Sequence, residues 1–127
     1  MTTGFTIYEK LPSLNQVIDK NRSNRFAGAK LKKDVEEIIS VHIRQALKNG
    51  ELKPITTPCI IKIDWYEKTK RRDADNIQSS QKFILDALVK TGVLPDDGRK
   101  YVTQVCHRII DSNEDKVCVT IETEEIK

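Results

Sequence analysis

The chain has 127 residues, of which 32% are charged and 38% are hydrophobic, enough for one domain with a core of its own. No run approaches the roughly 18 apolar residues that cross a membrane, and the N-terminus lacks the apolar segment of a secretory signal, so we expect a cytoplasmic protein with no membrane partner. The net charge is +3, and the segment from residue 111 onward has six acids and two lysines, a net of −4, so residues 1–110 carry +7. A basic body suits contact with phosphate, but a solvated charged surface explains the charge alone at least as well.

The first half of the chain predicts a strand, a polar loop and a long helix. Residues 5–11 alternate with aromatic and β-branched side chains, which is typical of a strand. Residues 12–25 are polar and basic and predict a loop, with room for a short helix, that faces a substrate. Residues 27–48 carry apolar side chains at helical spacing, and Gly50 is placed to end that helix. The helix stripe consists of Leu31, Val35, Ile38, Ile39, His42 and Ala46.

The second half predicts three strands and a second helix. Residues 59–67 alternate as a half-buried strand, residues 76–90 form a helix that ends at Gly92, and residues 101–110 and 116–123 form two strands joined by a turn. The order β-α-β-α-β-β most simply makes one α+β domain over residues 1–127. We expect a two-layer sandwich, a small mixed β-sheet with the two main helices packed on one face. The other face of the sheet is then free for a partner subunit.

Two pairs of acids flank the second helix. Asp73 and Asp75 are two residues apart, so in an extended or turn backbone their carboxylates project the same way. Asp96 and Asp97 follow the helix, where a return turn would bring them back. Mg²⁺ takes oxygen ligands and usually binds through a few carboxylates together with a substrate phosphate. The two pairs therefore predict a shared cation site.

The second helix has one polar and one apolar stripe. With Asp75 as its N-cap, spacing alone places a lysine between two acids on the polar stripe. The members of this stripe are Asp75, Ser79, Lys82 and Asp86. The apolar stripe must pack on the sheet, and its members are Ile77, Ile84 and Leu88.

Each acid also has a purely structural explanation. Asp75 followed by Gln78 is a capping-box pattern, and residues 96–98 are a good turn sequence. Asp86 is spaced to form a helix ion pair with Lys82. The metal hypothesis gains from the coincidence that acids stand before, along and after one helix, all on its non-core side.

The cysteines and histidines predict no site. Cys59, Cys106 and Cys118 are an odd number without a CxxC pair, and all three fall in strand patterns, so we expect buried reduced thiols. His42 lies in an apolar stripe and His107 within a strand, so packed histidines are favoured over catalytic ones.

Basic residues crowd the polar loop and the approach to the first acids. Lysine and arginine neutralise DNA phosphates, so acids for a metal beside bases for a polyanion predict a nuclease. The predicted DNA-binding residues are Lys20, Arg22, Arg25, Lys30, Lys32, Lys33, Lys68, Lys70, Arg71 and Arg72.

The order of these residues matches a known motif: D-x-D-N, a helix with a lysine and then D-A-L, a glycine-containing turn and a D-D pair. In this chain the motif residues are Asp73, Ala74, Asp75, Asn76, Lys82, Asp86, Ala87, Leu88, Gly92, Asp96 and Asp97. On them the chain resembles the RusA family of Holliday junction resolvases of phages and prophages. The upstream LPSLN sequence resembles the same family, and the resemblance covers about two thirds of the chain.

The resemblance implies a homodimeric endonuclease that makes paired cuts in four-way DNA junctions, for recombination and repair, with Mg²⁺ or Mn²⁺. It implies Asp73, Asp75 and Asp97 as the metal ligands. We expect Lys82 to offset charge on the phosphoryl oxygens. Three further residues are expected beside the ligands, and these are Asn76, Asp86 and Asp96.

One departure concerns the lysine. About three more residues stand between Asn76 and Lys82 than in the shorter family members. They add close to one helical turn, which keeps Lys82 on the Asp75 face.

Three other functions stay open on the sequence. The same residues could serve a metal-dependent nuclease that cuts forks or flaps. A non-catalytic DNA-binding protein would use the acids only as caps and turns. A structural or partner-binding role without nucleic acid fits the basic segment least well.

Overall fold

The structure, a computed structural model, describes residues 1–70 and 72–123, with the backbone alone at residues 14, 15, 17, 21, 23 and 25. The elements of this part of the chain, in order, are β1 (Thr2–Ile7), α1 (Leu14–Ser23), α2 (Arg25–Lys48), β2 (Cys59–Glu67), α3 (Ala74–Gln78), α4 (Gln81–Lys90), β3 (Val102–Asp111) and β4 (Lys116–Thr123). No helix in the described ranges is both long enough and apolar enough to cross a membrane.

The four strands form one mixed sheet in the order β1-β4-β2-β3. β2 and β3 are parallel, whereas β4 pairs antiparallel with both β1 and β2. Parallel neighbours need a long connection, and here residues 68–101 form it; we call this stretch the crossover. The crossover contains α3, α4 and both pairs of acids, so the sheet topology itself brings the candidate site residues into one connection.

The core lies between the sheet and the helices. Alternate residues of β2, Ile61, Ile63 and Trp65, are almost fully buried, while Lys62 between them is exposed. The helices bury the side chains Val35, Ile39, Ile43, Ala46, Ile77, Phe83, Ile84, Ala87 and Leu88. The expected α+β two-layer architecture with a mixed sheet is confirmed, and so is the apolar stripe of the second predicted helix.

The N-terminal region differs from the prediction. β1 spans Thr2–Ile7 rather than residues 5–11, and its early start depends on Gly4, where a Cβ would collide with the carbonyl oxygen of Val119 on β4. The predicted loop over residues 12–25 contains a ten-residue helix, α1. A capping box starts it: Ser13 Oγ accepts from the Gln16 amide at 3.2 Å, and Gln16 Oε1 accepts from the Ser13 amide at 2.7 Å. The capping box therefore marks the start of this helix in the sequence.

The predicted helix over residues 76–90 is wrong as a single helix. It is divided into α3 and α4 at Ser79 and Ser80. Ser79 Oγ donates to the Asn76 carbonyl oxygen at 2.6 Å, and Ser80 Oγ donates to the Pro12 carbonyl oxygen at 2.7 Å. Serine hydroxyls that bond to the backbone in this way compete with continuous helix.

The predicted capping box at Asp75 is wrong for the same segment. The N-cap of α3 is Asp73, which forms no side-chain capping bond, and Asp75 lies in the first turn.

The cysteine prediction is confirmed in part. All three thiols are free, but only Cys59 is buried, and burial raises its pKa. Cys106 and Cys118 are half-buried, since both lie on the sheet face that carries Lys62 rather than on the core face.

Candidate metal and nucleic-acid site

The first two acids project from the start of α3. Asp73 and Asp75 are both exposed. Within residues 1–70 and 72–123, neither carboxylate takes part in a hydrogen bond or an ion pair. Their oxygens are therefore available to a cation or to water.

An open groove of about 360 Å³ lies along α4. Its lining residues are Gln78, Ser79, Gln81, Lys82, Leu85, Asp86 and Asp97. Lys82 Nζ lies 3.7 Å from Asp86 Oδ2, with the lysine side chain 60% exposed. The return turn thus brings Asp97 to the α4 surface that carries Lys82 and Asp86. Asp75, which the predicted polar stripe included, is not among the residues that line the groove.

Asp96 and Asn76 have local structural contacts. Asp96 Oδ1 accepts from the Asp97 amide at 2.9 Å, which is the turn interaction that the sequence suggested. This bond helps to set the direction of the Asp97 backbone. Asn76 is half-buried in α3, and its carbonyl oxygen accepts from Ser79 Oγ.

The donors have the right chemistry for a hard cation, but they are not preassembled. Among the described residues, no group of three or more histidine, cysteine, aspartate or glutamate side chains is placed to hold a metal ion. Mg²⁺ commonly binds through one or two carboxylates plus substrate phosphate rather than in an all-protein cage. Two exposed aspartates at the start of one short helix fit that requirement. The assignment of Asp73, Asp75 and Asp97 as a shared ligand set stays a prediction.

The predicted DNA-binding cations fall into two groups. Those with exposed side chains are Lys20, Arg22, Lys30, Lys32 and Lys33 on α1 and α2, and Lys68 and Lys70 after β2. Arg71 and the side chain of Arg25 lie outside the described residues. Arg72 differs from the exposed cations because its side chain is only 16% exposed and is paired with Glu67.

Phe26 is a candidate contact that the sequence prediction missed. Its side chain is 86% exposed at the start of α2, among the cations of α1 and α2. In the sequence, Phe26 is a single aromatic residue within a polar, basic run, so no apolar periodicity marks it.

His107 connects the sheet to α4. Trp65 Nε1 donates to His107 Nδ1 at 2.9 Å, so the proton of the neutral ring is on Nε2, which donates to Gln81 Oε1 at 2.8 Å. Burial lowers the pKa of His107 below its ordinary value of 6.5. His107 is therefore a packed residue that holds the first turn of α4. His42 is also packed, with its Nδ1 2.8 Å from the Ile38 carbonyl oxygen.

We expect acid to weaken the fold through His107. Well above pH 6.5 the ring is neutral in the folded and the unfolded chain. As the pH is lowered through 6.5 the unfolded chain binds the proton first, so the free energy of unfolding decreases as the pH decreases. Urea unfolding between about pH 7.5 and 5.5 measures this slope. His107→Gln supplies the matched control, since an amide can accept from Trp65 and donate to Gln81 without titrating. Equal slopes for the variant and the wild type would contradict the assignment.

The comparisons with known proteins agree with the sequence motif. The family model of endodeoxyribonuclease RusA matches residues 8–122. No curated protein gives a match to the chain. The matched span contains the whole crossover, the groove and both basic helices.

Proposed function

Because the chain belongs to the RusA family of endodeoxyribonucleases, which resolve Holliday junctions, we propose that it cuts four-way DNA junctions by paired symmetric nicks and requires Mg²⁺ or Mn²⁺. The observation that carries the proposal is the set of side chains that the crossover presents. The crossover presents Asp73 and Asp75, whose carboxylates have no partner among the described residues, and, on the same connection, a groove that joins Lys82 to Asp97.

Each crossover residue has a role in this proposal. Asp73, Asp75 and Asp97 would hold the metal together with the scissile phosphate. When bound, the metal would polarise the phosphate and make an attacking water more acidic. Lys82, whose exposed ammonium is held only loosely by Asp86, would bond to the phosphoryl oxygens as negative charge builds there. Asp96 would keep Asp97 in position through the bond to its amide.

The exposed cations of α1, α2 and the start of the crossover would bind DNA phosphates. Phosphate contacts orient a protein on DNA without reading its sequence, which suits recognition of a branched structure. Phe26 would add an aromatic face for an unpaired base at the branch point.

We expect junction affinity to fall steeply with salt. Each phosphate contact contributes a slope of about −0.9 to the plot of log affinity against log salt concentration. If most of the seven exposed cations bind phosphate, the slope per protomer is about −4 to −6. Fluorescence anisotropy with an uncleaved junction in EDTA measures it.

The double variant Lys32→Ala/Lys33→Ala should reduce this slope by about 2. Lys62→Ala is the control because Lys62 lies on the sheet face away from the helices, where its ammonium pairs with Glu122 at 3.1 Å. A flat salt response of the wild type would refute the basic footprint.

Symmetric cutting requires two active sites related by a two-fold axis, so the proposal includes a homodimer of one-domain chains acting on DNA in the cytoplasm. Sedimentation velocity at the working concentration tests the dimer. A strictly monomeric protein would contradict junction resolution, though not nuclease activity.

The test of the function is a cleavage assay on a mobile four-way junction, a replication fork and a linear duplex, each with Mg²⁺, Mn²⁺ or EDTA. We expect metal-dependent paired nicks in the junction and little cleavage of the duplex. Preferred cleavage of the fork would indicate the fork or flap nuclease instead. Binding without cleavage of any substrate would indicate a non-catalytic DNA-binding protein.

A further inference from the structure

A buried ion pair stands directly before the first acids. Arg72 Nη2 lies 2.8 Å from Glu67 Oε1, and Arg72 Nε donates to the same oxygen at 2.9 Å. Arg72 Nη1 donates to the carbonyl oxygen of Leu11 at 2.9 Å. The two side chains are 16% and 6% exposed. Each of the three guanidinium nitrogens therefore already contacts a protein oxygen, which leaves little of this side chain for a DNA phosphate.

The same stretch of backbone anchors both ends of α3. Arg72, before the helix, bonds to the Leu11 carbonyl oxygen, and Ser80, after it, bonds to the Pro12 carbonyl oxygen at 2.7 Å. Ser80 is fully buried, and Ile77 between the two anchors is 2% exposed. We call residues 72–80 the acid segment. It is fastened at its start, middle and end.

The acid segment needs such anchors. A helix of five residues is not stable without outside contacts. The carboxylates of Asp73 and Asp75 also repel each other when no cation is bound. A buried ion pair adds little net stability compared with an apolar pair of the same size, but its several directed bonds fix the backbone. The position of this ion pair, next to Asp73 and Asp75, therefore indicates that it orients these two residues rather than stabilising the fold in general.

We propose that Arg72 and Ser80 are positioning residues that hold the acid segment on the backbone of residues 11–12, so that Asp73 and Asp75 present their carboxylates to one divalent cation. The inference rests on the proposed function, because it takes those two aspartates as metal ligands. It moves Arg72 from the predicted DNA-binding set to the support of the metal site. Ser13, the next residue, starts α1, so the basic helix and the acids share this anchor.

The test has two measurements. Electron paramagnetic resonance measures Mn²⁺ binding to the full chain without DNA, and a cleavage assay measures how junction cleavage depends on the Mn²⁺ concentration. Arg72→Lys keeps the charge but cannot make the forked contacts, so we expect Mn²⁺ affinity to fall about 10- to 100-fold. Cleavage should recover as the Mn²⁺ concentration is raised, which a general folding defect would not allow. Ser80→Ala should cause a smaller loss in the same direction.

Arg108→Lys is the matched control. Arg108, on β3, also makes forked contacts with a carboxylate, to Asp64 at 2.9 and 3.0 Å, but it lies outside the crossover, so Mn²⁺ affinity and cleavage should not change. Glu67→Gln distinguishes a role of Arg72 in positioning the ligands from a role in contacting DNA. A positioning role predicts weaker Mn²⁺ binding by this variant, whereas a DNA-contact role predicts unchanged Mn²⁺ binding and tighter junction binding.

Wild-type Mn²⁺ affinity in Arg72→Lys, with loss of junction affinity in Arg72→Ala, would overturn the inference and restore Arg72 to the DNA contacts. If Arg72→Ala does not fold, Arg72→Lys and Ser80→Ala decide the question. A wild-type protein that neither binds Mn²⁺ nor cleaves junctions would defeat the proposed function and this inference together. Normal wild-type activity with no effect of Arg72→Lys or Ser80→Ala would defeat the inference alone.

Discussion

Asp75→Asn should abolish junction cleavage while junction binding is kept or becomes tighter. The change removes an anionic oxygen donor from the proposed metal site, and loss of several kcal/mol of charge stabilisation corresponds to a rate reduction of about 10³-fold or more. Asn is nearly the same size as Asp, and a charge in the first turn of a helix is worth at most about 1 kcal/mol, so the variant should fold. Single-turnover cleavage in Mg²⁺ and anisotropy in EDTA measure the two properties separately.

The matched control for this experiment is Asp34→Asn. Asp34 is an exposed aspartate on α2, so the variant makes the same charge change away from the crossover. Both variants should bind the junction at least as tightly as the wild type, and only Asp75→Asn should lose cleavage. Unchanged cleavage by Asp75→Asn would refute its assignment as a metal ligand.

Two strands, β2 and β4, were predictable because one face of each is buried. Residues 59–67 and 116–123 were predicted with the bounds that the structure has, because strict alternation of apolar and polar side chains identifies both the element and its inner face. The long helix α2 was predicted to within two residues of its start for the analogous reason, an apolar stripe at helical spacing. In these elements the signal for burial is local in sequence.

The break between α3 and α4 could not be seen in the same way. The apolar stripe continues through it, since Ile77 and Ile84 are both buried. Of the two serine bonds that accompany the break, the one from Ser80 to Pro12 joins residues 68 positions apart. A contact of that range depends on the fold and leaves no periodic signal. The turn sequence predicted the return of Asp97 toward the helix, whereas the groove that Asp97 lines with Lys82 and Asp86 depends on the fold.

The ion pair of Arg72 did leave a signal. Glu67 continues the inward-facing alternation of Ile63 and Trp65 at the end of β2, and it is only 5% exposed. A glutamate in the buried phase of a strand needs a partner for its charge, and the nearest cations in sequence are in the basic run that follows. The run is uniformly basic in sequence, so charge alone does not distinguish Arg72, which pairs with Glu67, from the exposed lysines. The motif supplied the identity of the candidate site residues, but not which of their neighbours face inward.

Lys82→Ala should lower the rate of cleavage by about 10²- to 10³-fold with little change in junction affinity or stability. The reason is that a preorganised cation beside the phosphoryl oxygens stabilises charge that develops only in the transition state. The variant also removes the 3.7 Å pair with Asp86, but an exposed pair at this helical spacing contributes at most about 0.5 kcal/mol. Single-turnover rates at saturating protein, together with thermal unfolding, distinguish a loss of catalysis from a loss of folding.

Lys90→Ala shows whether position or charge decides the effect. Lys90 is an exposed lysine in the last turn of the same helix, but it does not line the groove. Both variants remove one positive charge from α4, so a general electrostatic attraction of DNA would reduce the activity of both equally. If the groove is where the phosphate reacts, only Lys82→Ala loses rate, and the loss persists when DNA is saturating. Equal activity of the two variants would place the reacting phosphate elsewhere and would remove Asp97, which lines the same groove, from the proposed ligand set.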